Sequence, residues 1–249
     1  LLFLDYLKFF PMTYIFSKTF LYYLSAKRAD ILATCSEYSR QRISHLFKIQ
    51  KSRICITHPA IVETKYSKTK AVDALSERSF FLYVSRIEPR KNHAVLLDAL
   101  AVLNSKDIAL VFAGHTTLEV KSLMNKIREL NLSDRVLFMT PNDDELCWLY
   151  KHSEACFYPS WCEGFGIPIL EAKLAGGLSF CAANTAMLDL EEYVDGMFNP
   201  DDPNQIAELM DAVLKKRVLG VDTKEKILAD FSWNQSARAL NQMMEDNYD

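Results

Sequence analysis

The chain has 249 residues, 49% of them hydrophobic and 24% charged, which supplies apolar material for one or two packed domains and excludes a disordered segment. Its 29 Lys and Arg against 32 Asp and Glu give a net charge of -3, so no nucleic-acid partner is expected and any anion site must be local. The six cysteines form no C-x-x-C pair and no His stands at zinc-ligand spacing; they read as reduced thiols of a cytoplasmic protein, with no metal.

The opening stretch, Leu1 to Ala26, is rich in Leu, Phe and Tyr, but Asp5, Lys8, Pro11 and Lys18 interrupt it before the ~20 apolar residues that a bilayer span needs. It reads as a core or interfacial helix. Phe9, Phe10, Phe16 and Phe20 beside Lys8 and Lys18 are compatible with a peripheral membrane contact as well as with packing in a protein core. The absence of an initiator Met and the start in mid-pattern predict a piece of a longer protein.

Strand-like runs then alternate with helical stretches. Strands are predicted at Ile31–Thr34, Arg53–Thr57, Phe80–Ser85, Ile108–Ala113, Arg135–Met139, Ala155–Tyr158 and Leu178–Cys181. Helices are predicted at Glu37–Phe47, His93–Leu103, Leu118–Leu130, Asp144–Lys151, Pro168–Ala175, Pro203–Lys216 and about Asn234–Asp246. Ser36, Asn92 and Asp202 stand where N-caps belong, and Pro168 and Pro203 suit a first helical turn. The alternation predicts an α/β fold with a parallel sheet and helices on both faces. A polar run from Tyr66 to Glu77 marks a connector, dividing the chain into residues 1–72, a complete α/β unit at 73–232, and a last helix at 233–249.

Four of the seven glycines fall in the segment Cys162-Glu-Gly-Phe-Gly-Ile-Pro-Ile-Leu-Glu-Ala-Lys-Leu-Ala-Gly-Gly177. Gly164 and Gly166 lie between a strand and a helix, where a turn can aim backbone N–H groups and the helix's positive end at an anion. Glu163 and Glu171 bracket this turn, the first at the strand's carboxyl end, where open α/β sheets bind ligands, and the second in the first helical turn. A tight strand-to-helix turn with no ligand accounts for the same residues equally well.

A second cluster, Tyr83-Val-Ser-Arg86-Ile-Glu-Pro-Arg90-Lys91-Asn92, sets three cations beside a helix N-terminus. They oppose the helix dipole unless an anion neutralises them, so the alternatives are a diphosphate clamp and a solvated basic loop. Neither G-x-G-x-x-G nor a P-loop occurs, which removes the usual dinucleotide and ATP fingerprints.

The segment Tyr158-Pro-Ser-Trp-Cys-Glu163-Gly-Phe-Gly-Ile-Pro-Ile-Leu-Glu171 resembles the E-x7-E signature of retaining family 4 glycosyltransferases, and Ser85-Arg-Ile-Glu-Pro-Arg-Lys-Asn92 resembles their phosphate-binding loop. Ala29-Asp-Ile-Leu-Ala-Thr-Cys-Ser-Glu-Tyr-Ser-Arg40, Phe198-Asn-Pro-Asp-Asp-Pro203 and Phe231-Ser-Trp233 follow in the family's order. The resemblance implies a GT-B fold in which residues 1–72 end an incomplete acceptor domain, 73–232 bind the donor, and 233–249 cross back. It implies transfer of a hexosyl group, mannosyl as first choice, from a nucleoside diphosphate sugar such as GDP-mannose to a glycan or lipid-linked glycan, with retention and without a cofactor. The incomplete acceptor domain leads to an expectation of no turnover in isolation.

Carried over, Arg86 and Lys91 hold the donor diphosphate with Arg90 as helper, Glu163 faces the sugar, and Glu171 binds the ribose. Gly164, Phe165 and Gly166 offer backbone amides, and Asn184 and Thr185 align with a donor-touching loop, although as bare sequence they read as turn residues. Leu178 replaces a family proline, Asp189-Leu-Glu-Glu-Tyr-Val-Asp-Gly196 a more glycine-rich loop, and Thr140-Pro-Asn142 the usual residues near the base. His58 and His115 read as turn or pocket-rim residues. The alternatives to transfer are a degenerate, non-catalytic nucleotide-sugar-binding module and an epimerase or phosphorylase of the same shape.

Overall fold

The computed structural model describes residues 7, 11–62, 68–115 and 120–248. Phe9, Phe10, Tyr66 and the expected helix start at 118 lie outside them. Helix α1, Met12–Arg28, buries Ile15 and Ala26 while Phe16 and Phe20 are exposed. Strands β1, Leu32–Thr34, and β2, Ile54–Ile56, flank helix α2, Glu37–Phe47, and pair in parallel with Leu32 opposite Ile54. Ala26, Phe47, Ile49 and Ile54 form the small core of this part. Among the described residues no helix is long and apolar enough to cross a membrane.

The rest alternates strand and helix. In order come β3 (Phe80–Val84), α3 (His93–Val102), β4 (Ala109–Ala113), α4 (Val120–Glu129), β5 (Val136–Met139), α5 (Asp143–His152), β6 (Ala155–Tyr158), α6 (Ile167–Leu174), β7 (Ser179–Ala182) and β8 (Gly196–Phe198). Helices α7 (Pro203–Leu214), α8 (Lys224–Asp230) and α9 (Trp233–Tyr248) close the chain. The six strands form one parallel sheet in the order β5-β4-β3-β6-β7-β8. The runs Phe-Phe-Leu-Tyr of β3 and Ala-Leu-Val-Phe-Ala of β4 are buried on both faces, the pattern of a sheet covered by helices on each side.

Ser36 and Asp202 cap α2 and α7 as expected, accepting from Ser39 N at 3.2 Å and from Asn204 N and Gln205 N at 3.0 and 3.1 Å. Asn92 holds the N-cap position of α3, but its side chain makes no cap hydrogen bond. Its backbone is left-handed, with φ of 53°, and its side-chain amide donates to Pro200 O at 2.7 Å, because a buried amide needs a partner and the Pro200 carbonyl supplies one. Glu171 is the fifth residue of α6 rather than a member of its first turn, since the helix begins at Ile167.

The expected polar connector is partly core: Val72 and Leu75 are buried around a 3₁₀ turn at Asp73–Leu75. Strand β8 and helix α8 were not expected; Gly-Met-Phe is too short to carry a periodicity.

The two sheets are joined at several points. Ile61 N donates to Phe231 O at 2.9 Å and Ser236 Oγ to His58 O at 2.7 Å, and α9 packs against β2. Asp189, from the 3₁₀ helix Thr185–Tyr193 after β7, accepts from Glu37 N at 2.7 Å and Tyr38 N at 3.2 Å, placing a carboxylate on the positive end of α2.

Candidate functional site

The strand order reverses between β3 and β6, which lie side by side although β4 and β5 intervene in sequence. In open α/β sheets the carboxyl ends of the strands at such a point form the ligand crevice. The loop after β3 carries Ser85 to Lys91 and the loop after β6 carries Pro159 to Gly166, so the fold itself brings the two sequence clusters together.

Lys91 Nζ lies 2.5 Å from Glu163 Oε1 and Arg90 Nη1 lies 3.3 Å from Glu163 Oε2. Ser160 Oγ donates to the same Oε1 at 2.7 Å. Arg90 also donates to Cys162 O at 3.2 Å and pairs with Glu88 at 2.9 Å. Burial opposes the Arg90 charge, but Glu163 and Glu88 outweigh it and raise the guanidinium above its ordinary value. Lys91 and Glu163 line a cavity of ≈ 230 Å³ with Tyr83, Ser85, Tyr158 and with Gly166 and Ile167 at the start of α6. Two cations and a carboxylate therefore meet where a helix N-terminus points, an arrangement able to bind an anion beside a polar group.

Residues 67–230 match the family model of the glycosyl transferases group 1. The chain belongs to this family. It is 28% identical over 229 residues to the serotype-specific mannosyltransferase WbdA of Escherichia coli, covering 85% of this chain and 28% of that protein. It is 26% identical over 254 residues to the alpha-1,3/1,6-mannosyltransferase ALG2 of Dictyostelium discoideum, covering 86% of this chain and 60% of that protein. The chain thus spans well short of the full length of these relatives. The crystal structure of Anabaena Alr3699/HepE in complex with UDP superposes with a TM-score of 0.78 at 18% identity, covering 90% of this chain and 65% of that one. The shared fold is the GT-B type.

Other residues of this group 1 transferase chain take less central places. Arg86 points outward, its side chain 68% exposed with Nε 3.7 Å from Glu88, whereas the side chains of Lys91 and Glu163 are only 15% and 16% exposed. Glu171 is buried, accepts from Tyr150 Oη at 3.0 Å, and lies outside the cavity lining.

Thr185, left-handed with φ of 47°, accepts from Glu163 N at 3.2 Å. Asn184 Nδ2 donates to Ser160 O at 3.3 Å. Both brace the Glu163 loop.

Gly166 needs its glycine: φ is 116° and a Cβ would stand 2.7 Å from Ile169 Cδ1. At Gly164 a Cβ would meet only Cys35 Sγ, at 3.9 Å, so no neighbour in the fold demands glycine there. Phe165 is buried against the rings of His58 and Phe231, at 5.5 and 5.4 Å. His58 itself binds Cys35 O through Nδ1 at 3.0 Å and lines a second cavity of ≈ 620 Å³ between the two sheets, with Glu37, Asp189 and Phe231.

Sequence reasoning missed Tyr83 and Ser160, whose hydroxyls meet the Lys91 and Glu163 loops, and His93, which lies behind them against Ser85. Tyr83 Oη donates to Lys91 O at 2.8 Å and meets Ser160 Oγ at 3.0 Å. A buried Tyr in an otherwise apolar strand was the available signal, because its hydroxyl requires a partner. Burial, reinforced by Glu163, pushes its phenol above the ordinary range, which keeps it a donor.

His93 Nε2 lies 3.0 Å from Ser85 Oγ, and its ring packs on Tyr83 and Phe112. Burial, then the Lys91 charge, pushes its pKa down to about 3. With the folded value depressed, the stability contributed by a neutral His93 is complete above the ordinary value near 6.5 and is lost as pH falls toward 3. The expected loss at pH 5 is about 2 kcal/mol relative to pH 7. Urea unfolding at both pH values should show this extra acid sensitivity in the unaltered chain and its disappearance in His93→Gln; equal sensitivity in both would refute the assignment.

Proposed function

We propose that the chain forms the donor-binding part of a retaining glycosyltransferase, which transfers a hexosyl group from a nucleoside diphosphate sugar to a glycan or lipid-linked glycan acceptor. The observation that carries this reading is the Lys91, Arg90 and Glu163 cluster at the point where the strand order reverses. Departure of the nucleoside diphosphate leaves negative charge on phosphate and positive character on the sugar ring. Lys91 and Arg90, with Arg86 at the rim, stabilise the first, and Glu163 faces the second. The backbone N–H groups of Gly166 and Ile167 at the start of α6 add to the diphosphate, and Gly164 offers its side-chain-free backbone to a sugar or phosphate oxygen.

Glu171 binds the ribose hydroxyls once Tyr150 yields or shares its hydrogen bond. Because Arg and Lys supply the positive charge, the reading needs no cofactor. The mannosyltransferase names of WbdA and ALG2 favour a mannosyl group and GDP-mannose, while UDP in the HepE complex makes a UDP-sugar the competing donor.

Calorimetric titration with GDP, UDP and ADP tests the reading. One base should bind selectively, and binding should fall at least about tenfold in folded Lys91→Ala and Glu171→Ala variants. Absence of binding to all three, or binding indifferent to both substitutions, would overturn it.

A further inference from the structure

We infer that Ser160 and Tyr83 are positioning residues that set the rotation of the Glu163 carboxylate and its spacing from Lys91, so that Glu163 Oε2 is presented to the donor sugar. This rests on the proposed donor site. The two oxygens of Glu163 are unequally engaged: Oε1 takes Lys91 Nζ at 2.5 Å and Ser160 Oγ at 2.7 Å, whereas Oε2 takes Arg90 Nη1 at 3.3 Å. A carboxylate held by two short charge-assisted contacts on one oxygen leaves the other with spare acceptor capacity.

Ser160 and Tyr83 are both almost wholly buried, which makes each hydroxyl's partner a matter of necessity rather than chance. Tyr83 Oη touches both loops, Lys91 O at 2.8 Å on one and Ser160 Oγ at 3.0 Å on the other. Two hydroxyl hydrogens serve three contacts. The Ser160 hydrogen goes to the anion Glu163, where it gains most, and the Tyr83 hydrogen is shared between the Lys91 carbonyl and the Ser160 oxygen. A second tie between the same loops, Trp161 N to Arg90 O at 2.9 Å, keeps them in register, so Tyr83 and Ser160 adjust side chains on an already fixed frame. Pre-organisation of this kind matters because a small displacement of a reacting group lowers its effectiveness steeply.

The experiment measures dissociation constants for GDP and GDP-mannose, and for UDP and UDP-glucose, with the unaltered chain, Ser160→Ala, Tyr83→Phe and Glu163→Ala, each checked by its unfolding midpoint. The quantity read is the ratio of the diphosphate constant to the sugar-nucleotide constant, and where the diphosphate constant itself moves, as in Glu163→Ala, the sugar-nucleotide constant reports the sugar contact. Ser160→Ala should leave diphosphate binding within about twofold and shift the ratio about tenfold, in the direction of Glu163→Ala.

Tyr83→Phe should shift the ratio and also weaken the diphosphate, since it loosens Lys91 as well; it carries the test if Ser160→Ala does not fold. A packing role alone would lower the midpoint and leave the ratio unmoved. If Glu163→Ala shifts the ratio while neither hydroxyl variant does, the inference is overturned and the donor site stands. If no ligand binds, or Glu163→Ala leaves the ratio unchanged, the role of Glu163 fails and the brace fails with it.

Discussion

Glu163→Gln should bind a nucleoside diphosphate about tenfold more tightly than the unaltered chain, while Lys91→Ala should bind it about a hundredfold more weakly. The opposite signs follow from the ion pair. Lys91 lies 2.5 Å and Arg90 3.3 Å from Glu163, so an incoming diphosphate competes with a carboxylate for the same cations. It also approaches a like charge. Replacing the carboxylate by an amide of the same shape removes both penalties. Removing Lys91 instead deletes a donor to the diphosphate and leaves Glu163 to repel it.

Calorimetry with GDP or UDP and with the matching monophosphate checks the point: the effects should concentrate on the diphosphate, whose added phosphoryl group carries the charge that Lys91 meets. General damage to the fold would weaken both variants alike. A weaker Glu163→Gln would mean that the pair is a structural brace and not an anion clamp.

The largest loss of stability is expected at Asp195. Its carboxylate pairs with Lys173 Nζ at 2.7 and 2.8 Å and accepts from Ser179 N at 2.7 Å and Val221 N at 2.8 Å, with the two side chains 0% and 5% exposed. Asp195→Ala strands a buried ammonium and two backbone N–H groups, at a cost of about 3–5 kcal/mol. The double variant with Lys173→Ala should cost clearly less than the sum of the single losses, because each single change already destroys the interaction. Denaturant unfolding of the four proteins gives the cycle. A loss under about 1 kcal/mol for Asp195→Ala would show the pair to be solvated, as surface pairs are. The same residue belongs to the stretch that replaces a more glycine-rich loop of the family, and in the structure it is a buried anchor.

The α/β alternation was legible because apolar runs such as Phe80-Phe-Leu-Tyr-Val84 and Ala109-Leu-Val-Phe-Ala113 are a local property, as are the caps at Ser36 and Asp202. The two charged clusters were legible for the same reason, being dense over a few residues. Local pattern also failed in predictable places. Three-residue β8 carries no period, and Asn92 has a cap's composition but spends its amide on Pro200. The family motifs gave roles to Glu163, Lys91 and Arg90, but none to Ser160, although it stands in the same segment as Glu163, or to Tyr83, which reaches Ser160 from another strand.

Residue order by itself thus determined most of the strands and helices, β8 and α8 apart, and which short stretches carry concentrated charge, since both depend on neighbours a few positions away. Only the tertiary structure decided that β3 lies beside β6, which brings Lys91 and Glu163, 72 positions apart, to 2.5 Å. It also decided that Asp189 caps a helix of the other sheet and that Tyr83 spans both loops. The physical reason is that strand order and side-chain partnership are set by how crossovers pack around a common core, which no local spacing encodes.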